Sequence, residues 1–210
     1  MSFNPNTLLN NPANILAIRG QGVNVSSQPP PKEAPPPAPV VAPPPYDKAL
    51  YENAFGRLGL MNINNVADLG CGVGNFTGVM ASRHQRPEVY IGVDMSHAAI
   101  QTARAAYPGW NFIYGDFTAP NVSQQYERFE AFLFLNVFDV IENEISVIEG
   151  VPSQKPILFS MPRLPIEGSL RYYEDINALR ARYSNYLSIK SVGRLNISSG
   201  QYYMVVAERW

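Results

Sequence analysis

Val66-Ala-Asp68-Leu-Gly70-Cys71-Gly72-Val-Gly74-Asn75-Phe76 is the stretch whose reading decides the fold. Its apolar entry, Asn65-Val-Ala-Asp-Leu, has the makeup of a buried strand, and a helical pattern begins near Phe76. Between them, glycines at alternate positions let the backbone turn tightly and approach a ligand without interference from a Cβ, while the following helix offers free amides. A strand, a glycine turn and a helix in this order suit any nucleotide-like ligand. The dinucleotide fingerprint G-x-G-x-x-G, however, requires a glycine at position 75, which is Asn75, and has no use for an acid two residues before its first glycine. A carboxylate at Asp68 would repel a pyrophosphate, so a ligand carrying positive charge near the turn fits better.

Working outward, helical and strand patterns alternate on both sides of the turn. Tyr46 to Leu58 has helical spacing, with Leu50, Ala54 and Leu58 on one stripe and Gly59 as its expected end. After the turn come a helix over Phe76 to Arg83, a strand Val89-Tyr-Ile-Gly-Val closed by Asp94, and a helix from Ser96 to Ala106 with Ser96 as N-cap. Asn111-Phe-Ile-Tyr is a third strand. The unbroken apolar run Ala131-Phe-Leu-Phe-Leu reads as a central strand buried on both faces, followed by a helix through Val137 to Val147. Pro156-Ile-Leu-Phe-Ser-Met is the fifth strand, and a helix is expected within Leu170 to Tyr186. Two final strand patterns, from Tyr186 and from Tyr202, have no helix between them and are expected to pair as an antiparallel hairpin. The sum is an α/β, Rossmann-like, doubly wound sheet of seven strands, mostly parallel, with a C-terminal antiparallel hairpin. Ligands of such sheets sit at the carboxyl ends of the strands.

Composition divides the 210 residues into three parts: a leader (1–28), a proline-rich linker (29–45) and the α/β domain (46–210). The leader is rich in Asn, Ser and Gly, with two apolar patches too small to fold alone, and is expected to be disordered, with a docking peptide as the alternative; the linker is suited to polyproline II and could serve a protein partner of the SH3 type. A net charge of −1 supplies no footprint for a phosphate backbone, so nucleic acid is disfavoured. The single cysteine, Cys71, excludes an internal disulfide and any multi-cysteine zinc site, and no metal is expected. With no signal-like start and no apolar run long enough to cross a bilayer, the expected address is cytoplasmic, away from membranes.

Asp68 to Phe76 resembles motif I of the class I S-adenosylmethionine-dependent methyltransferases, and the later strand ends agree with that family in order and spacing. The resemblance implies a cofactor whose sulfonium and α-ammonium would suit Asp68, with Gly70, Cys71, Gly72 and Asn75 shaping the turn around it. Asp94, about twenty residues beyond the turn, is implied to accept hydrogen bonds from the ribose hydroxyls. Met95 would lie beneath the adenine, and Asp116 with Phe117 would meet its edge. Leu133-Phe-Leu135-Asn136-Val-Phe138-Asp139-Val140 resembles the strand-four segment of small-molecule methyltransferases, which puts Asn136 and Phe138 beside the methionine moiety. The familiar histidine of that segment is Val140 here. Tyr46, opening a helix that in this family folds over the cofactor, is a further contact.

The activity implied is in-line methyl transfer to an unidentified small-molecule acceptor, by a protein that mainly orients the reactants and needs no dedicated base. Arg163, Arg171, Tyr172 and Tyr173 lie where this family holds its acceptors, and together they suggest an anionic or aromatic one. The competing expectation is a noncatalytic S-adenosylmethionine-binding or interaction module of the same fold.

Overall fold

The computed structural model describes residues 48–119 and 125–210. The leader, the proline-rich linker and Tyr46 lie outside the described residues. The elements are α1 (Lys48–Leu60), β1 (Asn65–Leu69), α2 (Asn75–Ser82), β2 (Val89–Asp94), α3 (His97–Ala106), β3 (Phe112–Tyr114), β4 (Ala131–Phe134), α4 (Glu144–Gly150), β5 (Pro156–Pro162), α5 (Ile176–Tyr183), β6 (Leu187–Ile197) and β7 (Gly200–Arg209).

The seven strands form one sheet in the order β3-β2-β1-β4-β5-β7-β6. The first five run parallel, with Asp68 opposite Gly92 on β2 and Leu133 on β4. β7 pairs antiparallel with both β5 and β6, giving the expected terminal hairpin. Strand residues alternate between two cores. Val66, Tyr90, Leu133, Leu158 and Met204 pack under α1, α2 and α3. Their neighbours Ala67, Ile91, Phe132, Phe159 and Tyr203 pack under α4 and α5. Side chains such as Leu50, Phe76, Phe159 and Leu179 have essentially no exposed surface; each contributes about 1.5–3 kcal/mol through burial. The switch from β1 to β4 at the centre of the order opens a crevice at the strands' carboxyl ends, and the glycine turn lies there.

Several boundaries differ from expectation. Gly59 does not end α1, which runs on to Leu60. The end is set by Asn62, whose left-handed backbone (φ 54°) lets Asn62 N–H reach Gly59 O and Ile63 N–H reach Leu58 O, a Schellman closure. His84 (φ 52°) ends α2 in the same manner. Ser96 caps α3 as read, accepting from Ala99 N–H at 3.2 Å. The helix expected from Val137 begins only at Glu144. Asn136 is left-handed (φ 58°), and the Arg171 guanidinium bonds the carbonyls of Phe138, Ile141 and Glu142, so residues 137–143 form turns. The helix expected within Leu170 to Tyr186 is α5, where Asp175 caps the start at Ile176 by accepting from Asn177 N–H at 3.0 Å.

Candidate functional site

The glycine turn is built by conformation and clearance together. Gly70 (φ 85°), Gly72 (φ 54°) and Gly74 (φ 85°) all occupy the left-handed region, which costs other L-residues roughly 1–2 kcal/mol each. A Cβ on Gly70 would lie 2.3 Å from Val137 Cγ2, so no other residue fits beneath β4's exit. A Cβ on Gly72 would meet nothing within 4 Å. Gly72 therefore faces open space at the strand ends, the place where a ligand approaches the backbone. The turn is tied to β2 by Gly70 N–H and Cys71 N–H, both donating to Val93 O at 2.7 and 3.1 Å.

Asp94 closes β2 with its carboxylate directed at this turn. Oδ2 accepts from Gly72 N–H and Oδ1 from Ser96 N–H, each at 2.8 Å. Each oxygen keeps a second acceptor site, so a ribose diol can be added without dismantling the support. Met95, 45% exposed, presents an apolar surface next to it. Asp116 is exposed and folded into a local turn, accepting from Thr118 N–H and Oγ1 at 2.8 and 2.6 Å; these bonds hold its carboxyl below the usual range. Phe117 beside it is buried.

Asp68 lies under the turn, not in the crevice. Only 2% exposed, it accepts a hydrogen bond from Tyr90 Oη at 2.8 Å, and burial with the Asp94 charge nearby pushes its carboxyl up to about 7 against the opposing Tyr90 bond. A direct contact from this carboxylate to a ligand is therefore not offered, and any influence on a cation passes through the polar groups above it. Chief among these is Tyr51, from α1. Asn75 Nδ2 donates to Tyr51 Oη at 3.4 Å, and burial pushes that phenol up to about 12, with hydrogen bonds to Asn75 and Asn136 working in the other direction. Tyr51, Asn75 and Asn136 thus converge over the end of β1 from three separate elements.

Asn136 owes its position to Ser160 on β5. The Ser160 hydroxyl accepts from Asn136 N–H at 2.7 Å and donates to Asn136 Oδ1 at 2.9 Å. Ser160 was not anticipated as a site residue, although a lone hydroxyl in the run Ile-Leu-Phe-Ser-Met was a visible signal. Cys71 is buried, and burial together with the two aspartates raises its thiol well above the ordinary value, leaving it unreactive.

Other expectations need correction. Phe138 has no exposed surface: it stacks on Phe134 at 4.5 Å and contacts Phe159, so it is a core residue facing away from the crevice. Arg163 donates to Gln201 Oε1 at 2.9 Å and covers the Tyr203 ring at 5.4 Å. Arg171 is spent on the three carbonyls already described and on Glu144 Oε2 at 3.1 Å. Tyr173 packs against Tyr183. Of the four residues expected to hold an acceptor, only Tyr172 is exposed, at 42%.

A second cleft of about 470 Å³ opens between α1 and α2 at the opposite, amino ends of β1 and β2, lined by Phe55, Ile63, Val66, Met80 and Pro87. Neither the glycine turn nor the strand-end carboxylates reach it. Among the described residues there is no cluster of acids, histidines or cysteines suited to a metal, and no helix long and apolar enough to cross a membrane.

The family described as "Methyltransferase domain" matches residues 63–204, more than half of the chain. Trans-aconitate 2-methyltransferase of Escherichia fergusonii is 46% identical over 61 residues, which cover 29% of this chain and 23% of that protein. The match thus spans less than a quarter of that relative's length. The fold is shared with magnesium protoporphyrin IX methyltransferase of Synechocystis PCC 6803, crystallised with bound S-adenosylmethionine: TM-score 0.56, 16% identity, 78% of this chain and 79% of that one. It is shared equally with the plantazolicin methyltransferase solved with S-adenosylhomocysteine: TM-score 0.56, 14% identity, 78% and 84% covered. S-adenosylmethionine is the family's cofactor. The turn, the acid closing β2 and the strand order are all accounted for by one assignment: the chain belongs to the class I S-adenosylmethionine-dependent methyltransferases.

Proposed function

We propose that residues 46–210 form a domain that binds S-adenosylmethionine and transfers its methyl group to a small-molecule acceptor. The observation that carries this reading is the pairing of Gly72, open to the crevice, with an Asp94 carboxylate that is held by two amides and keeps acceptor capacity on both oxygens. Asp94 would take the ribose hydroxyls through charge-assisted bonds worth about 1.5–3 kcal/mol each. Met95 would carry the adenine and Asp116 would receive its amino group. Asn75, Asn136 and Tyr51 would surround the methionine end, with Asp68 buried beneath them and bonded to Tyr90.

The cofactor supplies a methyl group already activated by its sulfonium. What remains for the chain is orientation, which is worth roughly 7–11 kcal/mol in reactions of this kind. This suits a site in which Val140 stands where related enzymes carry a histidine. The trans-aconitate relatives bring a carboxylate acceptor into view, but their match is too short to carry a substrate with it.

Calorimetric titration of the full chain with S-adenosylhomocysteine, with NADH as control, tests the reading. Micromolar binding that disappears in Asp94→Ala is expected. Heat from NADH and none from S-adenosylhomocysteine would overturn it.

A further inference from the structure

The loops that leave the carboxyl ends of β4 and β5, residues 135–143 and 163–175, are bound into one unit. Leu170 N–H donates to Asp139 O at 2.6 Å, Ser169 Oγ to Asp139 Oδ2 at 2.9 Å, and Arg171 secures the carbonyls of Phe138, Ile141 and Glu142. The second loop is tied to the sheet at both ends: Arg163 N–H donates to Gln201 O on β7, and Tyr173 N–H to Pro162 O on β5. Along the way it crosses the sheet edge, since Ile166 packs with the core under α1 and Tyr173 with the core under α5. This strap therefore lies across the carboxyl ends of the strands next to Asn136.

Part of what the two loops leave exposed is apolar. Val140, Leu164, Leu170 and Tyr172 are 49, 45, 57 and 42% exposed. Leu170 is brought beside Val140 by the bond to Asp139, while Leu164 and Tyr172 flank the single strand end at Pro162. The exposed charged residues of the two loops are of one sign. The two loops contain only two basic residues, Arg163 and Arg171, and both are engaged inside the protein. Glu142, Glu167 and Glu174 are exposed. An anionic acceptor would meet this rim at a cost, and like-charge placement is an effective means of rejecting wrong partners.

Resting on the function proposed above, we infer that this surface selects an apolar amine as methyl acceptor and rejects carboxylates. An amine also fits the chemistry of the site. The bound ammonium first gives a proton to water, the freed lone pair forms the N–C bond as the C–S bond breaks, and the sulfur leaves as the neutral thioether of S-adenosylhomocysteine while the positive charge passes to the methylated nitrogen. Water suffices as the base at the position of Val140, because an ammonium ionises at about pH 10, whereas an alcohol is far less acidic and would need a base on the protein.

Two probes with similar skeletons test the inference, 2-phenylethylamine and 3-phenylpropanoate. Ligand-observed NMR with the full chain and S-adenosylhomocysteine reports binding, and transfer of labelled methyl from S-adenosylmethionine reports turnover. The amine is expected to bind about tenfold more tightly or better, to be the probe that acquires label, and to lose affinity in Leu170→Ala and Tyr172→Ala while S-adenosylhomocysteine binding stays unchanged. Equal or tighter binding of the carboxylate, or amine binding indifferent to both substitutions, overturns the inference and leaves the cofactor reading standing. A chain that fails to bind S-adenosylhomocysteine overturns that reading, and the inference with it.

Discussion

Replacing Glu144 with glutamine should destabilise the protein out of proportion to one charge. Glu144 is 1% exposed and opens α4; its Oε1 meets Arg182 at 2.6 Å and its Oε2 meets Arg171 at 3.1 Å. Breaking a fully buried ion pair by removing one partner costs about 3–5 kcal/mol, because the other charge is left unpaired in a poor solvent. Two features reduce that figure. Arg182 is 45% exposed and can turn to water, so its half of the arrangement counts near the surface value of about 0–1 kcal/mol. Arg171, only 18% exposed, cannot do so, but it retains its carbonyl acceptors. We therefore expect Glu144→Gln to cost about 2–3 kcal/mol, which for a domain of this size lowers Tm by roughly 4–12 °C. Urea and thermal unfolding of the two chains measure this directly, and affinity for S-adenosylhomocysteine should be unaffected. A loss below about 0.5 kcal/mol, the range of an ordinary surface substitution, would refute the reasoning that removing this acid leaves the Arg171 charge unpaired.

Asp68 predicts a pH dependence. Its folded value of about 7 lies above the ordinary carboxylate range, so at intermediate pH the folded chain holds a proton that the unfolded chain has released. Its contribution is fully present below about pH 4 and is lost as pH rises through about 7. Asp68→Asn should be stabilised relative to wild type at pH 8 more than at pH 5; urea midpoints that differ equally at both values would contradict the assignment. Gly92→Ala places a Cβ 2.7 Å from Phe112 Cδ1 and 2.9 Å from Cys71 Sγ, and should lose about 1–3 kcal/mol by overpacking; an unchanged urea midpoint would sink this. Gly72→Ala should separate stability from function, with about 1–2 kcal/mol of backbone strain and a clear fall in S-adenosylhomocysteine affinity by calorimetry, since its new methyl projects into the crevice. Undiminished affinity would mean that Gly72 does not face the ligand.

The sheet was legible because its strands advertise themselves. A run such as Ala131-Phe-Leu-Phe-Leu can only be buried on both faces, and Asp68, the glycines and Asp94 stand at fixed distances from strands that pair in register. Less legible was everything decided by contacts distant in the chain. Val137 to Val147 has helical spacing, yet Arg171 takes the carbonyls that a helix would need. Arg163 and Arg171 look like free cations in the sequence because their partners, Gln201 and Glu144, are 38 and 27 positions away. Phe138 follows a strand end, as a ligand contact would, but with Asn136 left-handed its ring packs into the core. Tyr51 carries no signal of its own in the sequence, and it is the packing of α1 that brings its hydroxyl to Asn75.

The position of β7 bears on how the domain assembles. It is the last strand in sequence, yet it lies inside the sheet and completes hydrogen-bonded ladders on both edges, with Tyr203 to Val205 and Ala207 showing no exposed surface. The β6 partner is local, reached through the tight connection between Ile197 and Gly200, whereas the β5 partner requires Pro162 to find Tyr202 across the whole intervening chain. Local pairing closes quickly and distant pairing slowly, so the hairpin should form as a unit and then dock, adding two strands to the sheet in one cooperative event. In native-state hydrogen exchange the amides of β7 would then open only with the domain as a whole, while those on the outer edge of β6 exchange by local fraying.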